Sequence, residues 1–389
     1  MGRNGPVAIA VSGGSDSRAL LMIADSWARR TGRALIVLTV DHGLRPESSG
    51  EARHVANVAE AMGHPAKILT WQPEKRSQDA ARRARHALLA SGCHDAGAEL
   101  LLLGHTWSDV QETMLMRLSR PSSLMGAVGP QVVSVSPIWP EGRGLRIGRP
   151  VLGQSREALR MCLKAREIPW IEDPSNDADA YERVRVRKLV ACLSPGRLDG
   201  ITRDAMRLRA LEDAQLASVL DKHVSVDLAG LITLQLDRWD GGPRVSARLL
   251  SLLLQAAAGS ARGVAGEQVE ALAASIAAGG PEARLTLGGA WLQRRGNDLL
   301  IGRDPGECRS GWRENVWDGR YEQGASVTAP DAVPFLVRHA VPDGAGWHEI
   351  ISDRLASWVD ALRASAGLGA SMEADLGEAE APAVTTHPG

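Results

Sequence analysis

Aromatic residues other than tryptophan are nearly missing: 389 residues hold one Phe and two Tyr. Any stacking on nucleic-acid bases has to rest on Trp, His or Arg. Cysteine is scarce as well. The four thiols, Cys93, Cys162, Cys192 and Cys308, lie far apart and form no CxxC pair. That spacing argues against a structural zinc or an iron–sulfur cluster and fits a reducing cytosol. Excess charge is absent, with a formal net charge of −1. There is thus no global basic signal for nucleic acid, and an RNA site must be a local patch. No apolar run approaches a membrane span. The first apolar run starts within ten residues of Met1, which leaves no room for a signal peptide. These absences imply a cytoplasmic protein with no membrane contact. The length implies two or three domains rather than one core.

What is present is concentrated near the N-terminus. Residues 7–17 read Val-Ala-Ile-Ala-Val-Ser-Gly-Gly-Ser-Asp-Ser. The apolar run suits a buried parallel strand. Ala19, Leu20, Ile23, Ala24 and Trp27 then recur at helical spacing. Gly13 and Gly14 let main-chain N–H groups approach an oxyanion, and Ser12, Ser15 and Ser17 add hydroxyl donors. The helix N-terminus that follows favours negative charge. The segment reads as a pyrophosphate cradle. A Walker loop would carry a Lys after its second Gly, and none is here. The loop is similar instead to the SGGSDS signature of the PP-loop ATP pyrophosphatases, which split ATP between its α- and β-phosphates.

Strand and helix signals alternate through residue 150. Leu35–Val40 is a second apolar run, ending in Asp41-His42-Gly43. Val55, Val58, Ala59 and Met62 mark a helix face, and Ala66–Thr70 a short strand. Residues 77–92 read as a helix, Leu100–Leu103 as a buried strand ending at Gly104-His105, and 109–119 as a further helix. This rhythm predicts an α/β fold with a doubly wound parallel sheet. Ligands in such sheets sit at the carboxyl ends of the strands. The polar clusters 12–17, 41–45 and 104–112 should therefore converge on one crevice. Residues 120–148 lack periodicity and are read as a long loop, and 155–166 as a helix capped by Ser155. Beyond residue 200, helices over 203–222, 245–257 and 267–278 precede short strands at 285–287, 290–294 and 299–302, which implies a smaller α+β second domain. The expected division is an ATP-binding catalytic domain over 1–195, a tRNA-binding domain over 196–306, and a segment of undefined pattern over 307–362. An acidic tail over 363–389 is expected to be disordered.

Several segments together resemble one PP-loop family, the tRNA(Ile)-lysidine synthases. They are Val40-Asp41-His42-Gly43-Leu44-Arg45; Gly104-His105-Thr106-Trp107-Ser108-Asp109-Val110-Gln111-Glu112-Thr113; Met116-Arg117-Leu118; Arg149-Pro150-Val151-Leu152; and Trp170-Ile171-Glu172-Asp173-Pro174-Ser175-Asn176, followed by Arg183, Arg185 and Arg187. Order and spacing agree over about residues 7–190. The resemblance implies that ATP adenylates the C2 carbonyl oxygen of the wobble cytidine in a CAU-anticodon tRNA(Ile). Free L-lysine then displaces AMP and leaves lysidine, so that the tRNA reads AUA. ATP, Mg2+, that tRNA and lysine are the implied ligands, and a homodimer is compatible with it.

The residues can be matched to this chemistry. Ser12, Gly13, Gly14, Ser15, Asp16, Ser17, Asp41 and His42 would form the nucleotide site. Mg2+ on phosphates needs one or two carboxylates, for which Asp16 and Asp109 are the candidates. Glu112, three residues on and on the same helical face, could hold metal or take a proton from the lysine ammonium. His105 and Arg117 could steady phosphate or the cytidine. Arg183, Arg185, Arg187 and Lys188 suit tRNA phosphates. Plainer readings exist: Asp16 as a first-turn helix acid, Asp109 and Glu112 as a solvated helix face, His105 as a strand-end residue, and the basic run as a solvated helix. The chain departs from the family's pattern at Thr106, Ser108, Val110 and Val184, where His, Asp, Gln and Asn are usual, and at Pro121-Ser122-Ser123, where Gly is usual. Alternatives are a PP-loop enzyme that thiolates a tRNA base, which the isolated cysteines oppose, a small-molecule ligase, and an ATP- or tRNA-binding homologue without catalysis.

Overall fold

Strand β1, Val7–Ala10, is buried over its whole length. It can be so because it lies inside a sheet covered on both faces. A computed structural model describes residues 5–43, 46–71, 78–119, 128–172, 182–192, 195–227, 230–237, 242–261, 263–307, 312–313, 316–317, 320–324, 346–349 and 351–377. β1 pairs in parallel with β2 (Leu35–Asp41) on one side, Val7 opposite Leu35, and with β4 (Leu100–Leu102) on the other, Ala8 opposite Leu101. With β3 (Ala66–Thr70), β5 (Val133–Val135) and β6 (Arg146–Gly148), the sheet order is β3-β2-β1-β4-β6-β5. All neighbours are parallel except the edge strand β5, which runs antiparallel to β6. The order reverses direction between β1 and β4. The loops leaving those two strands therefore diverge and open a crevice between them.

Alternate residues of β1 feed two cores. Ile9 joins Leu20, Leu21, Val37, Val55, Leu159 and Leu163 on one face, and Ala8 joins Leu38, Leu89, Leu101 and Ile147 on the other. Helix α1 (Ser15–Thr31) buries Ala19, Leu20, Leu21, Ala24 and Ala28 and ends at Gly32 in the left-handed conformation. Ile23, expected on the buried stripe, is 44% exposed. Leu21 takes its place because the buried stripe is centred about one residue later. Helices α2 (Ser48–Ala61), α3 (Gln78–Asp95), α4 (Trp107–Leu118), α5 (Arg156–Lys164) and α6 (Glu182–Cys192) complete this part.

Residues 120–148 do not form one long loop. They include β5 and β6, whose three-residue length is too short for a period to register; residues 120–127 lie outside the described residues.

The second body has a five-stranded antiparallel sheet, β7-β8-β11-β10-β9, built from Val224–Val226, Ile232–Gln235, Asp298–Arg303, Ala290–Arg295 and Leu285–Leu287. Helices α7 (Pro195–Lys222), α8 (Pro243–Ala257) and α9 (Gly266–Ala277) accompany it. Leu216, Leu220, Ile232, Leu234, Leu249, Leu253, Leu299 and Ile301 are core residues there. A four-stranded sheet follows, made of β12 (Trp312–Arg313), β13 (Val316–Trp317), β14 (Tyr321–Gly324) and β15 (Gly346–Glu349).

Helix α10 (Ile351–Gly377) then packs along α7. The segment from 363, expected to be disordered, is thus helical as far as Gly377. Ala and Leu favour helix, and Leu355, Trp358 and Val359 bury the preceding turns. Residues 378–389 lie outside the described residues. Arg354 fixes this helix: it donates to the carbonyls of Gln255 and Ser260 at 2.9 and 2.6 Å, and its guanidinium lies over both Trp139 and Trp358. Burial pushes its pKa down to about 9. Among the described residues no helix is long and apolar enough to cross a membrane.

Candidate functional site

The loop after β1 is held open by its own hydroxyls. Ser17 Oγ donates to the Gly14 carbonyl at 3.0 Å and accepts from the Ser12 amide at 3.2 Å. Gly13 has φ +90°, a conformation that L side chains rarely adopt. A Cβ on it would stand 2.6 Å from Ile171 Cδ1. Gly14 differs. It is the N-cap of α1 in ordinary extended geometry, with no side-chain cap. The nearest atom to a Cβ there is Ser12 Oγ at 3.8 Å. The loop therefore presents open space at Gly14, beside the uncapped first turn of α1. That space is what a phosphate cradle requires. Gly104 is needed for another reason: a Cβ there would stand 3.1 Å from the Asp16 carbonyl and the Ser17 Cα. Its absence lets the end of β4 approach α1.

The expected convergence is realised for Asp16, Asp109 and Glu112, and the residue that joins them is one the sequence reading passed over. Arg156 opens α5, whose N-cap Ser155 accepts from the Ala158 amide at 3.1 Å. Its Nε donates to Asp16 Oδ2 at 2.9 Å, and its terminal nitrogens lie 3.6 Å from Asp109 Oδ1 and from Glu112 Oε1. Burial alone would lower its pKa, but the three carboxylates outweigh burial and raise it. One turn on, Arg160 Nε reaches Ser15 Oγ at 3.3 Å and its NH2 reaches Glu172 Oε2 at 3.3 Å. The Ile171 amide donates to the Gly13 carbonyl at 2.9 Å. The Trp170-Ile171-Glu172 segment thus lies against the PP-loop, whereas Asp173–Asn176 lie outside the described residues.

Asp109 and Glu112 are not a solvated face; they are 7% and 1% exposed. Asp109 sits in the first turn of α4 and accepts from the Thr106 amide and hydroxyl at 2.8 and 2.9 Å through Oδ2. Thr106, one of the departures from the family pattern, thereby stiffens the carboxylate that follows it. Glu112 Oε1 accepts from Arg187 Nε at 2.9 Å. The basic run is thus divided. Arg187 turns inward to the cluster, and Arg185 and Lys188 are exposed. The side chain of Arg183 lies outside the described residues. Trp107 and Gln111, on a neighbouring face of α4, both donate to Asp199 Oδ1 on α7, at 2.7 and 2.6 Å.

His105 and Arg117 separate. His105 Nδ1 accepts from Arg149 Nε at 3.1 Å, which fixes its proton on Nε2. Arg117 lies eight residues beyond Asp109, about 12 Å along the helix, and donates to the Val128 carbonyl at 2.8 Å. A second group of cations surrounds His86: Arg149, from one of the quoted segments, with Arg82 and Arg85, which the sequence reading did not single out. Burial, with Arg82 close by, pushes the Arg149 pKa down to about 10. His86 is lowered to about 4 by burial and by Arg85, Arg82 and Arg149. The signal was there in Ala81-Arg82-Arg83-Ala84-Arg85-His86, in a helix predicted only for its propensity.

Asp41 and His42 end β2. Asp41 is occupied locally: Ser48, Ser49 and the Gly43 amide donate to it, and these hydrogen bonds hold its carboxyl below the usual carboxylate range. His42 Nδ1 is buried with no hydrogen-bond partner, and its ring stands edge-on to Trp71.

Comparison with known proteins agrees with this geometry. A PP-loop domain family matches residues 3–193. A tRNA(Ile)-lysidine synthase of Hyphomonas neptunium is 42% identical over 300 residues, covering 76% of this chain and 81% of that one. The protein of the same name from Caulobacter vibrioides is 35% identical, covering 83% and 75% of the two chains. That from Mesorhizobium japonicum is 33% identical over 386 residues, covering 92% and 83%. The similarity therefore runs well past the PP-loop domain into the second body. With the SGGSDS loop, the Asp109–Glu112 helix and the Trp170-Ile171-Glu172 segment built around one crevice, the chain belongs to the tRNA(Ile)-lysidine synthase family.

Proposed function

We propose that the protein joins L-lysine to C2 of the wobble cytidine of a CAU-anticodon tRNA(Ile), in the cytoplasm, using ATP split to AMP and pyrophosphate. The observation that carries this reading is the convergence of Asp16, Asp109 and Glu112 on one cation position directly beside an open PP-loop. The loop amides and the hydroxyls of Ser12 and Ser15 hold the leaving pyrophosphate, with Ser17 bracing the loop from within and Arg160 backing Ser15. The unpartnered Nδ1 of His42 offers the nucleotide a hydrogen-bonding group. Glu112 receives the lysine ammonium and accepts the proton that the amine must lose before it attacks. His105, with its proton on Nε2, and the cations around Arg149 face the RNA. Exposed Arg185 and Lys188 contact tRNA phosphates.

The donor set fits Mg2+. No group of three or more His, Cys, Asp or Glu forms a cage among the described residues, and Mg2+ bound to phosphates takes only one or two protein carboxylates. Asp16 and Asp109 would hold it, and it would neutralise charge on the phosphates.

The test is incubation with ATP, Mg2+, labelled lysine and a CAU-anticodon transcript. Label should enter the RNA with release of pyrophosphate and AMP, and should not enter a wobble-uridine control. Formation of ADP, or sulfur transfer in place of lysine transfer, would refute the assignment.

A further inference from the structure

We propose that Arg156 is a positioning residue that fills the place of the substrate amine until nucleotide binds, so that lysine binding is conditional on ATP. The proposal rests on the reading that Glu112 receives the lysine ammonium. Three carboxylates from two elements share the Arg156 guanidinium, and its contacts with them are unequal. The contact with Asp16 is a hydrogen bond at 2.9 Å, whereas Asp109 and Glu112 are held at 3.6 Å, by charge alone. The side chain is 16% exposed and leaves the first turn of α5, where Ser155 pins the backbone. A free ammonium must therefore compete with a tethered cation, whose effective concentration is far above that of a dissolved amino acid.

Asp16 is the hinge of this arrangement. It stands at the PP-loop, beside Ser15, whose hydroxyl donates to it at 3.2 Å. A polyphosphate in the loop places new anionic oxygens beside the guanidinium. Planar, bidentate recognition of phosphate draws an arginine strongly. The weak contacts to Asp109 and Glu112 are the ones that yield, which leaves Asp109 to the Mg2+ that accompanies the nucleotide and opens Glu112 to the amine. Glu112 keeps its partner Arg187 and so stays oriented. The converse also holds. Because the coupling is a free energy between two ligands, lysine must raise nucleotide affinity by the same factor.

The test is calorimetric titration of L-lysine into the protein with and without α,β-methylene ATP and Mg2+, an analogue that cannot be split between the α- and β-phosphates. In the parent protein the analogue should tighten lysine binding by about tenfold or more, within the usual range of couplings between sites. In Arg156→Met lysine should bind equally with and without the analogue. Arg156→Lys, which retains a tethered cation, should keep most of the coupling. Reverse titrations should give the same factors. The proposal is overturned if Arg156→Met shows the parent's enhancement, if it binds lysine under neither condition while still binding the analogue, or if the parent shows no enhancement. Should Arg156→Met fail to fold, loss of coupling in a folded Arg156→Lys overturns it equally. A parent that incorporates labelled lysine without coupling refutes this proposal alone. A parent that incorporates none refutes the amine-site reading beneath it.

Discussion

Replacing Gly14 by Val separates the ligand site from the fold. Gly14 has φ −66° and ψ 163°, angles that any residue adopts, and nothing lies within 3.8 Å of the position a Cβ would take. The folded protein therefore has no clash to relieve. Its main cost is exchanging a tolerated N-cap for a poor one, about 1 kcal/mol, which lowers Tm by a few degrees in a chain of this size. The valine side chain does occupy the space in front of the first turn of α1. If it withholds two loop N–H groups from a pyrophosphate, each worth about 1.5–3 kcal/mol when the acceptor is charged, nucleotide affinity falls by about 10²–10⁴-fold. Titration with α,β-methylene ATP measures the affinity, and thermal unfolding measures the fold. An affinity within threefold of the parent's would refute the cradle assignment, because that assignment puts phosphate where the side chain would stand. Gly13→Ala is the contrast. Its φ of +90° and the 2.6 Å approach to Ile171 predict damage to the loop itself.

Asp109→Asn keeps an acceptor for Thr106 but removes the charge, and turnover should fall on the order of a hundredfold; lysine incorporation at the parent's rate would place the carboxylate chemistry elsewhere. Ser108→Asp restores the family's second acid beside Asp109, and steady-state turnover equal to or above the parent's is expected; a large loss would count against a cation site there. Arg185→Ala and Lys188→Ala should weaken tRNA binding and each flatten its salt dependence by about one unit of slope, whereas Arg187→Ala should chiefly reduce turnover by releasing Glu112; filter binding against salt, paired with rate measurements, tells these apart. His86, lowered to about 4 by burial and by Arg85, Arg82 and Arg149, stays neutral in the folded state where the unfolded chain takes a proton. Its stabilising contribution is complete above about pH 6.5 and is lost as pH falls towards 4, on the order of 3 kcal/mol in all. Urea unfolding of His86→Gln should show a flatter profile through that window, and a profile identical to the parent's would refute it.

The catalytic half was legible in the sequence because its information is local. A strand that ends in Gly and Ser, and a helix that begins with Asp and Glu, declare themselves within a dozen residues. The expectations that failed concern short or tertiary features. β5 and β6 are three residues each, and pairing rather than period makes them strands. Gly377 ends a helix whose earlier turns are held by α7 and by Arg354, whereas composition alone suggested a tail. Arg156 was invisible for the same reason, an unremarked arginine until the fold carries it to carboxylates more than forty residues away, and Arg149 was visible only as part of a quoted segment until the fold set it against His105. A motif marks the groups that touch ligand, but not the groups that hold those groups in place.

Asp199 gives the molecule a lever. It sits near the start of α7, a helix of 28 residues and so about 42 Å long, and it is gripped at one oxygen by both Trp107 and Gln111. Gln111 immediately precedes Glu112 in α4. The far end of α7 is built into the second body, where Leu216 and Leu220 are core residues. A tilt of about 5° about the Asp199 grip sweeps that far end by about 3 Å over such a length. Conversely, a displacement of the distant end reaches α4, the helix that carries Asp109 and Glu112, reduced in amplitude. The second body and the helix of Asp109 and Glu112 are therefore tied to each other through one continuous helix rather than through a loop.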